Sequence, residues 1–437
     1  MKHVAIVGAG LCGSLLACYL GRRGYTVDLY ERRPDPRVTG AERGRSINLA
    51  LSERGLDALR RIGLDEQVLK DALPMRGRMV HPLGGETNFQ PYSLDGDRAI
   101  NSIGRGALND ALLDAAAATE GVTIHFERPL TALDPALGTL GFADGSQAKA
   151  DIVLGADGAG SATRGLLMAY AGESFTETVS FLDYGYKELT IPARDGDYAL
   201  DPGALHIWPR GTSMMIALPN PDRSFTGTLF WPNAGTGSFA SLGSPAAIER
   251  HFRDQYPDLL ELIPNLVDDY RHNPVGLLGT VRCAPWQLLG RVALIGDAAH
   301  AIVPFYGQGA NASFEDVVEL DRCLDATGDN WAEALPLYER GRRENSEAIA
   351  EMALANFVEM RDKVAAPFFK LGKTVEHTLE RLLPGKYVSR YELVSFSTTP
   401  YADVRRRVKR QHQVLGWTAG ALAALGVAAV ARRVVRR

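Results

Sequence analysis

The chain has 437 residues, 46% hydrophobic and 23% charged, which allows two or three globular domains with a large core. Its net charge of −4 hides a basic end: residues 404–437 carry nine Lys or Arg and no Asp or Glu, leaving −13 on the rest. A general nucleic-acid surface is thereby excluded. Cys12, Cys18, Cys283 and Cys323 form no CxxC pair and do not cluster with histidines, so neither a disulfide framework nor a metal centre is expected, and a reducing compartment fits. The chain starts directly on an apolar segment, without the order of charges and apolar residues of a secretory signal.

His3–Val7 (HVAIV) has the apolar run of a buried strand, and Gly8-Ala9-Gly10-Leu11-Cys12-Gly13 follows at once. A helical pattern over 14–23 closes on Gly24 as a C-cap, and Thr26–Tyr30 reads as a second strand ending at Glu31. Helices are predicted from Ser52 and over 109–118, and strands over 122–126 and 151–154. The stretch 74–97 reads as irregular strands and loops. From 177 to 275 the pattern changes to alternating, aromatic-rich short strands such as 205–209, 213–218 and 227–231, a mainly antiparallel sheet inserted into the first domain. A buried strand returns at 292–295, and helical patterns dominate from about 311 to 383. The division that results is a discontinuous nucleotide-binding part (1–73, 99–176, 276–330), an inserted sheet part (74–98, 177–275), a helical region (331–403) and a tail (404–437).

The three glycines lie between a strand and a helix, and Glu31 follows the last of them by 18 positions, the context that a dinucleotide fingerprint requires. Gly8 permits the tight turn, Gly10 lets a phosphate approach the backbone, and Gly13 allows close helix packing. The helix start offers free N–H groups to a pyrophosphate, and Glu31 would accept from ribose hydroxyls. This fingerprint does not separate NAD from FAD. The later segment Gly296-Asp297-Ala298-Ala299-His300, followed by Pro304-Phe305-Tyr306-Gly307-Gln308-Gly309-Ala310-Asn311, makes that distinction. Asp297 can accept from a sugar-alcohol chain, and the amides of Gly309, Ala310 and Asn311 at a helix start can stabilise negative charge on a reduced ring. The segment resembles the second FAD-binding motif of the class A flavoprotein monooxygenases. Residues 155–164 (GADGAGSATR), with Asp157, resemble their Asp-Gly motif, associated with FAD and NADPH; an isolated Asp157 or Asp297 would instead be a cap or turn residue. The resemblance implies an α/β fold: a Rossmann-type FAD-binding domain with an inserted, mainly antiparallel substrate sheet, followed by C-terminal helices.

More specific segments are 44–55 (GRSINLALSERG), 74–81 (PMRGRMVH), 90–92 (QPY), 102–109 (SIGRGALN), 303–309 (VPFYGQG), 356–360 (NFVEM) and 391–396 (YELVSF). They are similar to the kynurenine 3-monooxygenase family from residue 3 to about 402, and the chain is identified as a member. The resemblance implies non-covalent FAD, with NADPH as co-substrate, and hydroxylation of L-kynurenine by O2 through a flavin C4a-hydroperoxide, a step of tryptophan degradation. The flavin carries the chemistry, so no catalytic residue is assigned. Carried over position by position, Arg78 would clamp the substrate carboxylate with Tyr92, Asn356 and Tyr391 completing the polar end. Glu359 would bind the amine or hold the other groups in place. Pro304, Phe305 and Tyr306 would lie against flavin and substrate ring or simply pack, and Arg105 and Leu130 match positions assigned to FAD. Asn356, Glu359, Met360 and Lys363 have the spacing of one helix face, which equally suits an exposed stripe. Tyr92 and Tyr391 alone would read as core tyrosines.

Residues 414–431 are 18 positions without a charge between basic flanks. They read as a tail anchor with the catalytic part on the cytosolic side, or as a helix lying on an anionic membrane surface. The alternative functions are hydroxylation of another aromatic acid or phenol, and a membrane-tethered flavoprotein that hydroxylates nothing.

Overall fold

Strands covered by helices on both faces need apolar residues at consecutive positions. His3–Val7, Ile152–Gly155 and Val292–Leu294 have them and are buried almost throughout. The computed structural model describes residues 2–39, 48–93, 96–363, 378–383 and 385–415. Six strands stand side by side in the order Gln287–Leu288, Val292–Leu294, Ile152–Gly155, His3–Val7, Thr26–Tyr30 and Val122–His125. All neighbours are parallel except the first pair. The helix Leu11–Arg22 is buried from Leu11 to Gly21, covered by Arg105–Ala118 and Gly309–Ala326.

A second sheet of seven strands runs Gly276–Ala284, Thr176–Ile191, Phe225–Pro232, Met214–Pro219, Ala204–Pro209, Gly77–Val80 and Asn88–Pro91. It is antiparallel except where Gly77–Val80 joins Ala204–Pro209. Alternation gives it two apolar faces. Trp208, Met215, Leu229 and Trp231 face three helices, Pro245–Gln255, Pro257–Leu262 and Leu266–His272. Ile207, Met214 and Phe230 face a core with Phe305, Met352 and Phe357. Complete burial of a side chain as large as Trp208 or Phe252 stabilises by about 1.5–3 kcal/mol.

The strands and loops expected around 74–97 are present: Leu73–Met75 joins Asn48–Leu51 and Ile100–Gly104 in a three-stranded sheet, and Gly77–Val80 and Asn88–Pro91 enter the large sheet. The structure departs from the sequence reading in three places. Residues 245–272 are helical where short strands were expected. Their signal was present in Ser244, whose side chain caps Ala247 N, and in Pro245 in the first turn. Gly276–Ala284 belongs to the seven-stranded sheet, not to the nucleotide-binding part where it was expected. Finally, the 28-residue helix Trp331–Val358 passes into a π-helical turn at Glu359–Lys363 where a continuous α-helical pattern was expected, though Asn356 and Met360 stay in contact. Residues 44–47 of the GRSINLALSERG segment, 364–377 of the expected helical region and 416–431 of the expected tail segment lie outside the described residues. Among the described residues no helix is long and apolar enough to cross a membrane.

Candidate active site

The glycine turn is shaped for a phosphate. A Cβ on Gly8 (φ +101°) would lie 2.6 Å from the Ala156 carbonyl oxygen, and one on Gly13 would lie 1.9 Å from that of Gly8. One on Gly10 would meet nothing within 4 Å. Gly8 and Gly13 therefore hold the turn closed, while Gly10 presents bare backbone to open space. The following helix start has no side-chain cap and no acidic residue in its first turn, so its N–H groups remain for an anion. Glu31 is buried at the end of the next strand, accepting from Ala9 N at 2.9 Å and Arg33 N at 3.0 Å. Leu130, which opens the strand Leu130–Asp134 of a separate three-stranded sheet, is buried in the same core and offers only apolar or backbone contact.

The second flavin segment is held from behind. The Asp316 carboxylate accepts from Gly296 N at 2.9 Å, pairs with His300 Nε2 at 2.5 Å and accepts from Arg342 Nε at 2.6 Å. Burial opposes its charge, but the His300 ring and the Arg342 guanidinium hold its carboxyl below the usual carboxylate range. Asp297, one residue after Gly296, has no hydrogen-bond partner among the described residues. Burial raises its carboxyl pKa against the pull of His300 and Arg105, and Arg105 itself is exposed at the start of Arg105–Ala118. Gly309 and Ala310 open the helix Gly309–Ala326, and a Cβ on Gly309 would meet nothing within 4 Å. Asn311 uses its side chain structurally, donating to Ala50 O and Gly307 O and accepting from Ser52 N; only its backbone remains for a ligand. Asp157 is likewise committed to its own turn, bonding Ser161 Oγ at 2.5 Å and Thr163 N at 2.9 Å. Open glycines, uncapped helix starts and the carboxylates of Glu31 and Asp297 form a donor and acceptor set that fits FAD.

The substrate side is built around Arg78. It extends from Gly77–Val80 at 8% exposure, and its Nε has no hydrogen-bond partner among the described residues. Its guanidinium carbon lies 4.6 Å from the Tyr391 ring centroid and 5.8 Å from that of Tyr92. Those two rings stack at 4.9 Å, and Tyr306 stacks on Tyr391 at 6.1 Å. Burial pushes the Tyr391 and Tyr306 hydroxyls up, so both stay protonated near neutral pH. A buried cation and neutral hydroxyls make a receptor for a carboxylate. The other expected residues are arranged differently. Asn356 Nδ2 donates to Phe305 O at 2.7 Å and to Met360 Sδ at 3.1 Å, fastening the 304–306 turn to its helix. Phe305 stacks on Phe357 at 3.9 Å and meets Phe230 edge-on at 5.1 Å, a packing role, while Pro304 is exposed. Glu359 is paired with Arg390 at 2.8 Å.

Arg390, Asp316 and Arg342 were not found from the sequence. Their partners lie 16 to 31 positions away along the chain, and no local pattern reports such a pairing. Tyr306 was expected against flavin and substrate ring or in a packing role, and its ring stacks on that of Tyr391.

Among known proteins, the chain matches the FAD binding domain family over residues 1–353. It is 50% identical to the kynurenine 3-monooxygenase of Myxococcus xanthus, over 91% of this chain and 86% of that one. It is 47% identical to that of Stenotrophomonas maltophilia (95% and 91%) and 44% identical to that of Dictyostelium discoideum (95% and 92%). Two solved structures share the fold. One is the tetrameric form of 2-methyl-3-hydroxypyridine-5-carboxylic acid oxygenase, with a TM-score of 0.69 at 23% identity, over 84% of this chain and 94% of that one. The other is Pseudomonas aeruginosa PqsL in complex with 2-aminobenzoylacetate, with a TM-score of 0.66 at 22% identity, over 83% and 97%.

Proposed function

We propose a reaction from one premise: the chain belongs to the kynurenine 3-monooxygenase family of FAD-binding monooxygenases. It hydroxylates L-kynurenine to 3-hydroxy-L-kynurenine, consuming NADPH and O2 and releasing NADP⁺ and water. Bound FAD would supply the redox chemistry that links NADPH and O2 to ring hydroxylation.

The chain's own residues hold and shield the reactants. The open face of Gly10, the uncapped start of Leu11–Arg22, Glu31 and Asp297 hold the cofactor. The buried shell of Phe230, Phe305 and Phe357 stiffens the turn beside the ring and excludes water from that side. Arg78 carries the choice of substrate. Its Nε has no hydrogen-bond partner among the described residues and Glu359 is paired with Arg390 instead, so an amino-acid carboxylate can bond the guanidinium directly. A neutral phenol would leave that hydrogen-bonding capacity unmet, at a cost of about 1–3 kcal/mol.

Arg78→Met in the FAD-loaded protein should weaken L-kynurenine binding by about 10–100-fold, the worth of a charge-assisted bidentate contact. FAD content should stay unchanged. A flavin-absorbance titration and the FAD-to-protein ratio measure the two quantities, and equal loss of both would make Arg78 structural. Coupled hydroxylation of a different aromatic acid, with no 3-hydroxykynurenine detected by mass, would favour the second reading. For the segment 414–431 we propose membrane association with the catalytic part on the cytosolic side, supported by its uncharged length and basic flanks.

A further inference from the structure

The pocket that holds Arg78 also contains a carboxylate of the protein's own. Glu359 is near enough to influence Arg78 electrostatically, and Tyr306 feels Arg78, Glu359 and Arg390 together. A tethered carboxylate beside a buried guanidinium is a strong competitor for any carboxylate arriving from solution. Yet Glu359 is not paired with Arg78. Its Oε2 accepts from Arg390 Nη2 at 2.8 Å. Arg390 and Glu359 retain 30% and 21% side-chain exposure, so the pair adds at most about 1 kcal/mol to stability.

We infer that Arg390 is a positioning residue that holds Glu359 away from Arg78 and thereby keeps the Arg78 guanidinium open for the substrate's carboxylate. The inference rests on the amino-acid reading of the site. Arg390 is suited to the task because it opens the helix Arg390–Ser395, immediately before Tyr391, whose ring lies against Arg78. One short helix thus presents both the ring that lines the clamp and the cation that restrains its competitor. The three charges sum to +1, matched to a carboxylate.

The test uses the full-length, FAD-loaded protein with L-kynurenine and with the amino-ketone that lacks only its carboxylate, each titrated through flavin absorbance. Arg390→Met should weaken kynurenine binding about tenfold or more, roughly 1.4 kcal/mol, and raise KM with kcat nearly unchanged. Binding of the decarboxylated ligand should change less than about twofold, because it makes no use of Arg78. Arg390→Lys should stay within about threefold of wild type, since the cation remains. The decisive variant is Arg390→Met with Glu359→Gln, which removes the competitor and should restore most of the lost affinity. If the double variant binds as weakly as Arg390→Met, or the decarboxylated ligand suffers equally, Arg390 acts by touching substrate or supporting the fold, and the inference fails. A wild-type protein that does not bind kynurenine overturns the substrate reading and this inference together, whereas an unrescued double variant overturns this inference alone.

Discussion

A methyl group added at Gly10 and one added at Gly13 meet opposite surroundings within a single turn. At Gly13 it would overlap the Gly8 carbonyl at 1.9 Å; at Gly10 it would touch nothing within 4 Å. Gly13→Ala should therefore disrupt the packing of Leu11–Arg22 on the first strand and lower the unfolding midpoint even without cofactor. Gly10→Ala should leave that midpoint close to wild type, costing roughly 1 kcal/mol or less as a solvent-facing change, yet weaken FAD where the pyrophosphate must approach. Thermal unfolding of both apoproteins, followed by FAD titration, separates the two, and equal destabilisation would refute the assignment of Gly10 to the cofactor. These glycines could be read from the sequence because backbone turns are local. Glu31 was legible for the same reason, at a fixed distance along one βαβ unit. Asp157 and Asn311 were legible as members of motifs but not in their side-chain roles, because what a carboxylate or amide bonds to depends on neighbours that only the fold supplies. Arg390 illustrates the limit: nothing near it in the sequence distinguishes it from an exposed arginine.

At the scale of elements, the substrate pocket depends on a fastening outside it. Arg54, in the helix Glu53–Arg61, is fully buried. It ion-pairs with Glu315, donates to Val394 O at 2.8 Å, Leu393 O at 3.1 Å and Thr399 O at 2.6 Å, and lies 3.9 Å over the Tyr401 ring. It joins the FAD-binding part to the segment that carries Tyr391. Removing one partner of a buried ion pair costs about 3–5 kcal/mol, so Arg54→Met should destabilise the protein by that order in denaturant unfolding. Hydrogen exchange should accelerate first over 390–401, and the KM for kynurenine should rise. Unchanged exchange in that segment would show that the fastening lies elsewhere. The two main sheets were readable because their strands follow simple periods. The π-helical turn at 359–363 and the helices of 245–272 were not, the first because its hydrogen-bond register is set by packing, the second because they follow directly on alternating strands and a single cap at Ser244 is a weak local signal.

For the whole molecule, the separate fates of catalytic part and tail can be tested directly. A chain ending at Leu415 keeps every residue assigned here to FAD or substrate. It should retain FAD and kynurenine-dependent NADPH oxidation within about twofold of the full chain, since contacts absent from a site leave its chemistry unaltered. It should also lose sedimentation with anionic vesicles, which the full chain should show; equal sedimentation of both would remove 414–431 as the membrane contact. A different consequence follows from where the clamp's parts lie along the chain. Arg78 and Tyr92 come early, whereas Glu359, Arg390 and Tyr391 come late, with Arg54 waiting for carbonyls at 393–399. During synthesis the glycine turn and its first strands emerge long before the clamp can close. A ribosome that stops short of residue 391 therefore releases a polypeptide with the glycine turn for the cofactor already made, but without the tyrosine that forms one wall of the clamp. In the cell, the last tenth of translation decides whether the product can grip an amino acid at all.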